Sequence, residues 1–355
     1  MVNATIAVHD PGAERIRLVE VDLAAPGPFE VMVALEASGV CRSQLTEMAR
    51  HTAGAPLPLG HEGIGVVEAV GPSVTTVSPG DRVIVTWVPA AGPGMRDALP
   101  TSLELPDGTR TAPVRCFTWA TRTVVDELYA VPLAADDTDP SLALLGCAVM
   151  TGAESVATAA RTRLGESVVV IGAGGVGLAA ISAAAAAGAG EVVAVDVDRE
   201  KLEFAAGFGA NRLVDARSGD PVEQVHAALA GSPSGADVVI DCVGAPATIV
   251  QALAMAKAGV LGERPGGRVV VAGLAGGEVA VDARELVMTQ KSLIGTLAGG
   301  AAQADILRHL AATRAGRLQV ARSVTDTATL GELADSVDRL RVGDILGRAI
   351  VTMSA

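Results

Sequence analysis

Aromatic residues are nearly missing from this 355-residue chain, at 2 percent, although half of its residues are apolar. Its core must therefore be built from Ala, Val, Leu and Ile. Positive charge is also scarce: 27 Lys and Arg face 40 Asp and Glu, a formal net charge of −13. That balance argues against a nucleic-acid partner, whose phosphates need a basic surface. No block of like charge suggests an interaction tail. Only four cysteines occur, irregularly spaced, which does not resemble a secreted disulfide framework. A reducing cytoplasm suits them and keeps thiols free to bind metal. The opening MVNATIAVHDPGAERIRLVEVDL has no apolar signal-peptide core. Ser167 to Gly190 has no charged residue, but glycines at 172, 174, 175, 177, 188 and 190 interrupt it. A membrane span needs about 20 apolar residues in a row, so strand, turn and helix fit this segment better.

What is present divides by texture. The length suits two domains. GHEGIGVVEAVGPSVTTVSPGDRVIV, residues 60–85, alternates apolar and small residues between Gly-Pro and Pro-Gly-Asp turns and predicts a β-rich barrel. Residues 88–114 are rich in proline without periodicity and read as an irregular surface lobe. Further on, apolar runs recur at Val168–Ile171, Val192–Val195, Asp237–Asp241, Arg268–Ala272 and Ser292–Leu297. Helical stretches, Glu200–Phe208 and Pro221–Ala230, lie between some of them. Alternation of this kind predicts a doubly wound parallel sheet. The tail predicts helices at Ala302–Thr313 and Leu330–Arg341 and a last strand at Arg348–Met353.

Gly172-Ala-Gly174-Gly175-Val176-Gly177 follows the strand VVVI and opens a helix. Its glycines permit a tight turn, close approach of a pyrophosphate, and close helix–strand packing. The helix N-terminus then offers free N–H groups to phosphate. Asp196 lies 19 residues past Gly177, where a carboxylate can bond both ribose hydroxyls and would repel a 2′-phosphate. NAD is favoured over NADP, an expectation tempered slightly by Arg199.

Cys41, His61 and Cys147 are soft metal ligands separated by 20 and 86 residues. Those spacings form no short zinc motif, and a lone Cys or His is as readily a packed core residue. Four segments occur in order, however: SGVCRSQL, GHEGIGVVEAVG, LLGCAVMTG and VIGAGGVG. Together, nearly end to end, they resemble the zinc-dependent alcohol dehydrogenases of the medium-chain dehydrogenase/reductase family. The resemblance implies an α/β fold: a GroES-like β-barrel catalytic domain over 1–152, completed by 298–355, and a Rossmann domain over 153–297. It implies one catalytic zinc, held in the cleft by Cys41, His61 and Cys147, with Glu62 as a nearby acid.

The same resemblance matches further positions. Arg42 and Arg348 correspond to arginines on the pyrophosphate, Thr151 and Val176 to residues packing the nicotinamide, and Lys201 to a lysine beside the adenosine ribose. Ser43 matches the hydroxyl that takes the substrate proton. Trp87 and Trp119, the chain's two tryptophans, fall where the substrate cleft is lined, with Leu274 and Leu297 completing it. Cys116 and Cys242 read as packing residues. The implied reaction interconverts an alcohol with an aldehyde or ketone by hydride transfer with NAD(H). A reductase of a carbonyl or activated alkene is one alternative. A nucleotide-binding protein without turnover is another. The implied assembly is a homodimer or homotetramer joined along the last strand of the sheet.

Three departures stand out. Residues 88–114 contain no cysteine, so no structural zinc lobe is expected. Gln44 stands where a carboxylate usually supports the ligand histidine, a loss that typically lowers metal affinity about 10- to 100-fold. Thr46 stands where a relay histidine often lies, leaving water, the ribose hydroxyl or His51 to carry the proton out.

Overall fold

The computed structural model describes residues 1–52, 54–229 and 235–353. It divides into two compact units. The first comprises Met1–Cys147, Ala302–Leu310 and Val320–Ala355; the second comprises Ala148–Ala301 and Ala311–Gln319.

In the first unit one sheet runs in the order Val324–Thr329, Arg348–Thr352, Glu30–Val40, Glu62–Val70, Arg82–Thr86, Ala130–Pro132, and Arg122–Asp126 also pairs with Glu30–Val40. A smaller sheet joins Arg17–Leu23, Val2–His9 and Leu57–Pro58. The C-terminal strand is therefore interior: Ile350 pairs with Gly39, so the tail closes the barrel against the segment that leads to Cys41. The core is aliphatic, as the composition dictates, with Ile6, Val31, Val33, Val83 and Val85 fully buried. Residues 88–114 form only isolated bridges, Thr101 to Val114 and Glu104 to Arg110. Arg96 pins this lobe. Its guanidinium grips the Asp126 carboxylate through two bonds of 2.6 and 2.9 Å and lies 4.2 Å from the centre of the Phe29 ring.

The second unit holds a six-stranded sheet ordered Arg212–Asp215, Glu191–Asp196, Ser167–Ile171, Val238–Asp241, Arg268–Val271, Ser292–Gly295. Every pairing is parallel. By chain position this is 3-2-1-4-5-6, the dinucleotide-binding order. Side chains alternate across a strand. Val168 and Val170 accordingly enter one core while Val169 and Ile171 enter another. A strand buried on both faces reads as an unbroken apolar run, which is why these strands are legible in the sequence.

Arg212–Asp215 is the exception, because Arg212 and Leu213 are exposed at the sheet edge. The expected strand at Ser292–Leu297 stops at Gly295. Helices occupy Arg199–Ala206 and Pro221–Ala228; Ala230, expected to end the latter, lies outside the described residues. In the tail, helix Asp305–Arg314, a short 3₁₀ turn with helix Leu333–Val342, and strand Arg348–Thr352 take the expected places. Ser167–Gly190 is strand, turn and helix, and among the described residues no single helix is long and apolar enough to cross a membrane.

Candidate metal centre and cofactor turn

Three separate elements deliver the soft ligands of the first unit. Cys41 follows the strand Glu30–Val40 and precedes the helix Arg42–Arg50. His61 leads into the strand Glu62–Val70 from Gly60, whose φ of +88° is left-handed and whose Cβ would stand 2.3 Å from the Trp119 amide nitrogen. Only glycine allows that turn. Cys147 ends the 3₁₀ segment Pro140–Gly146, which Thr86 holds by donating its hydroxyl to the Gly146 carbonyl at 2.6 Å. The Cys41 and Cys147 sulfurs lie 4.0 Å apart. All three ligand atoms lie within 4.8 Å of one another, and no other group of three or more His, Cys, Asp or Glu suited to a metal occurs among the described residues.

These distances fit a tetrahedral zinc. Zn–S bonds of about 2.3 Å place two sulfurs about 3.8 Å apart. A disulfide would require about 2.05 Å, and all four cysteines are free. The electrostatics also favour a cation. A hydrogen bond from Cys147, with His61 and Arg348 nearby, holds the Cys41 thiol well below the usual thiol range. The Cys147 thiol is pushed well above it by that same contact and by burial. The pocket therefore stabilises one thiolate readily and resists the second until a positive ion arrives. Burial opposes a charged His61, but the Cys41 thiolate more than offsets this and raises its pKa.

Other groups surround the ligands. Ser43 Oγ is 3.1 Å from Cys41 Sγ and 3.4 Å from His61 Nε2. Glu62 is fully buried and bonded to the guanidinium of Arg348, itself 6 percent exposed. Burial opposes the charge on Arg348, while Glu62 and the two cysteines raise its pKa. Trp87 meets the His61 ring edge-on, with centroids 6.4 Å apart. Trp119, expected to line the cleft, is instead a core residue. It is 1 percent exposed and donates its indole N–H to the Gly39 carbonyl. Arg42 is exposed, with its guanidinium near the Leu340 carbonyl at 3.4 Å. His51 is bonded to the Ala55 carbonyl at 2.7 Å. Cys116 and Cys242 pack against aliphatic neighbours, and burial pushes both thiols up.

In the second unit the glycine turn has the form its sequence requires. A Cβ at Gly177 would lie 1.8 Å from the Gly172 carbonyl oxygen, so only glycine there allows this close an approach. A Cβ on Gly174 would meet nothing within 4 Å. The protein leaves that side open, as a cradle for pyrophosphate demands. Gly175 and Val176 begin the helix Gly175–Ala186, whose first N–H groups lack partners within the helix. Asp196 accepts from the Ala173 amide at 2.7 Å and the Asp198 amide at 2.9 Å, which fixes its carboxylate at the turn. Lys201 lies in the first turn of the helix that Asp198 caps. Thr151 is buried; Leu274 and Leu297 are 50 and 61 percent exposed.

Sequence reasoning missed Glu47, which bonds Gln44 one helical turn away at 2.6 Å. The i,i+3 spacing carries that signal. It also missed the bond between Glu62 and Arg348, although each residue was a candidate for another role.

Two family descriptions match the chain: "Alcohol dehydrogenase GroES-like domain" over residues 27–134 and "Zinc-binding dehydrogenase" over 175–312. A putative alcohol dehydrogenase D of Mycobacterium tuberculosis is 33 percent identical, the match covering 99 percent of this chain and all of the relative. An S-(hydroxymethyl)glutathione dehydrogenase of Paracoccus denitrificans is 29 percent identical, covering 97 percent of this chain and 98 percent of its own. The crystal structure of an alcohol dehydrogenase zinc-binding domain protein from Burkholderia ambifaria superposes with a TM-score of 0.85 at 26 percent identity, covering both chains fully.

Proposed function

The chain belongs to the zinc-dependent alcohol dehydrogenases of the medium-chain family, and we propose that it interconverts an alcohol with its aldehyde or ketone at Cys41, His61 and Cys147. The observation that carries this assignment is the meeting of two thiols and an imidazole within 4.8 Å. Zinc in that seat supplies Lewis acidity toward an alcohol or carbonyl oxygen, and NAD supplies the hydride chemistry.

The remaining work falls to the chain's own side chains. Ser43, beside both Cys41 and His61, relays the substrate hydroxyl proton in oxidation, taking it up as its own proton passes on to water or the ribose hydroxyl, and the relay runs backwards in reduction. Glu62, held by Arg348, keeps a fixed negative charge near the ligands without becoming one. Trp87, edge-on to His61, is the pocket wall that favours an apolar or planar substrate. In the second unit the N–H groups at Gly174, Gly175, Val176 and Gly177 receive the pyrophosphate. Asp196 receives the ribose hydroxyls, and this selects NAD over NADP. Arg42, Lys201 and Thr151 are further cofactor contacts on this reading.

The chain's surroundings and assembly follow from the same reading. Four free thiols suit a cytoplasmic setting. The strand Ser292–Gly295 ends the parallel sheet with Leu293 exposed. An open apolar edge needs a cover, and a second copy of the chain supplies one; light scattering on the purified protein tests this.

The deciding experiment combines metal analysis with NADH oxidation against a panel of aldehydes. One zinc per chain with turnover supports the assignment. A protein that, with zinc supplied in excess, binds NADH without taking up the metal or turning over sinks it.

A further inference from the structure

Gln44 is buried, at 3 percent exposure, and makes three hydrogen bonds. The Gly60 backbone N–H lies 2.6 Å from Oε1. A peptide N–H can only donate, so this neighbour identifies the oxygen end of the amide. Glu47 Oε2 lies 2.6 Å from Nε2. An ionised carboxylate can only accept, so it identifies the nitrogen end independently. The third contact runs from the same Nε2 to His61 Nδ1, at 2.9 Å. With the amide fixed from both sides, Nε2 donates one N–H to Glu47 and the other to Nδ1.

That polarity has a consequence for His61. A neutral imidazole that accepts at Nδ1 carries its proton on Nε2. Nε2 is the ring atom nearest Ser43, on the side of the thiols. A zinc-ligating imidazole needs the opposite: a bare Nε2 and an Nδ1–H donated to an acceptor behind the ring. Turning the amide over supplies the acceptor. It also sets the NH₂ against the Gly60 N–H and the amide oxygen against the Glu47 carboxylate. Zinc binding through His61 therefore breaks the His61 bond in the first arrangement, or the Gly60 and Glu47 bonds in the second.

We propose that Gln44, locked in this orientation by Glu47 and Gly60, is a positioning residue that keeps the Cys41, His61 and Cys147 site a weak, exchangeable holder of zinc. This rests on the reading of those three residues as ligands. A carboxylate at position 44 would accept from both Nδ1–H and the Gly60 N–H, and the exposed Glu47 side chain can turn to solvent away from it.

The test is zinc affinity of the full chain, measured by competition with a chromophoric chelator. Gln44→Glu, which keeps the side-chain length, binds zinc about 10- to 100-fold more tightly than wild type. Glu47→Ala, which frees the amide to turn, tightens binding by a smaller factor. A purely structural role for Gln44 predicts the reverse sign. In the zinc-free wild type, ¹⁵N NMR of the His61 ring finds the proton on Nε2. Equal or weaker zinc binding by folded Gln44→Glu overturns the proposal, as does a ring proton on Nδ1. Unchanged affinity in Glu47→Ala overturns the share assigned to Glu47. Cys41→Ser separates the two readings. Its loss of zinc binding supports the ligand assignment whatever Gln44 does, and wild-type binding by this variant would sink the assignment itself.

Discussion

Arg348 bonds Glu62 across 286 residues of sequence, and both side chains are buried beside the soft ligands. A buried ion pair contributes little net stability over an apolar replacement, yet removing one partner strands the other charge. Glu62→Leu or Arg348→Met alone should therefore destabilise the protein by about 3–5 kcal/mol. Glu62→Leu with Arg348→Met should lose much less than the two single losses added together. Chemical denaturation of the four proteins checks this, and simple additivity would refute the pairing as an energetic unit.

Removing either thiol should separate the two units' functions. Cys41→Ser and Cys147→Ser should abolish turnover and zinc retention. NADH binding, which we assign to Gly172 through Gly177 and Asp196 in the other unit, should stay close to wild type by fluorescence titration. Parallel loss of both activities would count against the assignment.

Zinc uptake should also release protons, because the Cys147 thiol holds its proton well above the usual range until a cation arrives. Affinity should accordingly fall as pH is lowered. Chelator competition between pH 6 and 8 measures this; a flat profile would contradict the thiol pair as the ligand set.

Cofactor choice should turn on Asp196. Replacing it with Ser removes a charge-assisted ribose contact, of about 1.5–3 kcal/mol, and the repulsion of a 2′-phosphate. KM for NAD should rise about tenfold or more while NADP becomes usable. An unchanged ratio of kcat/KM for the two cofactors would place nucleotide selection elsewhere.

The cysteine-free lobe offers a prediction on stability. Asp126 bonds Arg96 and the amides of Leu99 and Leu128, and residues 88–114 contain no cysteine. Burial opposes the Asp126 charge, but Arg96 and these amides hold its pKa below the ordinary 3.8. A depressed carboxylate stabilises above its unfolded pKa and loses that contribution as pH falls through the folded value. Arg96→Leu should cost about 1–3 kcal/mol, less than a fully buried pair because Arg96 is 29 percent exposed. Amide exchange at Leu99 and Leu128 should accelerate in this variant. The gap from wild type should close below about pH 4. A gap unchanged by acid would assign the effect to packing on Phe29 instead.

The second unit was legible wherever a strand is buried on both faces. Val168–Ile171 announces itself because each of its side chains is apolar. Arg212–Asp215 does not, since at the sheet edge only Val214 is buried. The metal ligands were legible only through their neighbours in sequence. Nothing in separations of 20 and 86 residues says that Cys41, His61 and Cys147 meet; the pairing of strands and the turn at Gly60 bring them together. Trp119 shows the opposite failure. Its type and place suggested a cleft wall, and the Gly39 carbonyl drew its N–H into the core. Gln44 was visible as a departure, but its orientation depends on a peptide N–H at Gly60, which no side-chain pattern encodes.

The placement of Arg348–Thr352 inside the barrel sheet sets an order of events during biosynthesis. A ribosome delivers both thiols and the imidazole long before the arginine that accompanies Glu62. Through most of translation these ligands lack the strand that finally encloses them. Oxidants and mismatched ions have their best opportunity in that interval.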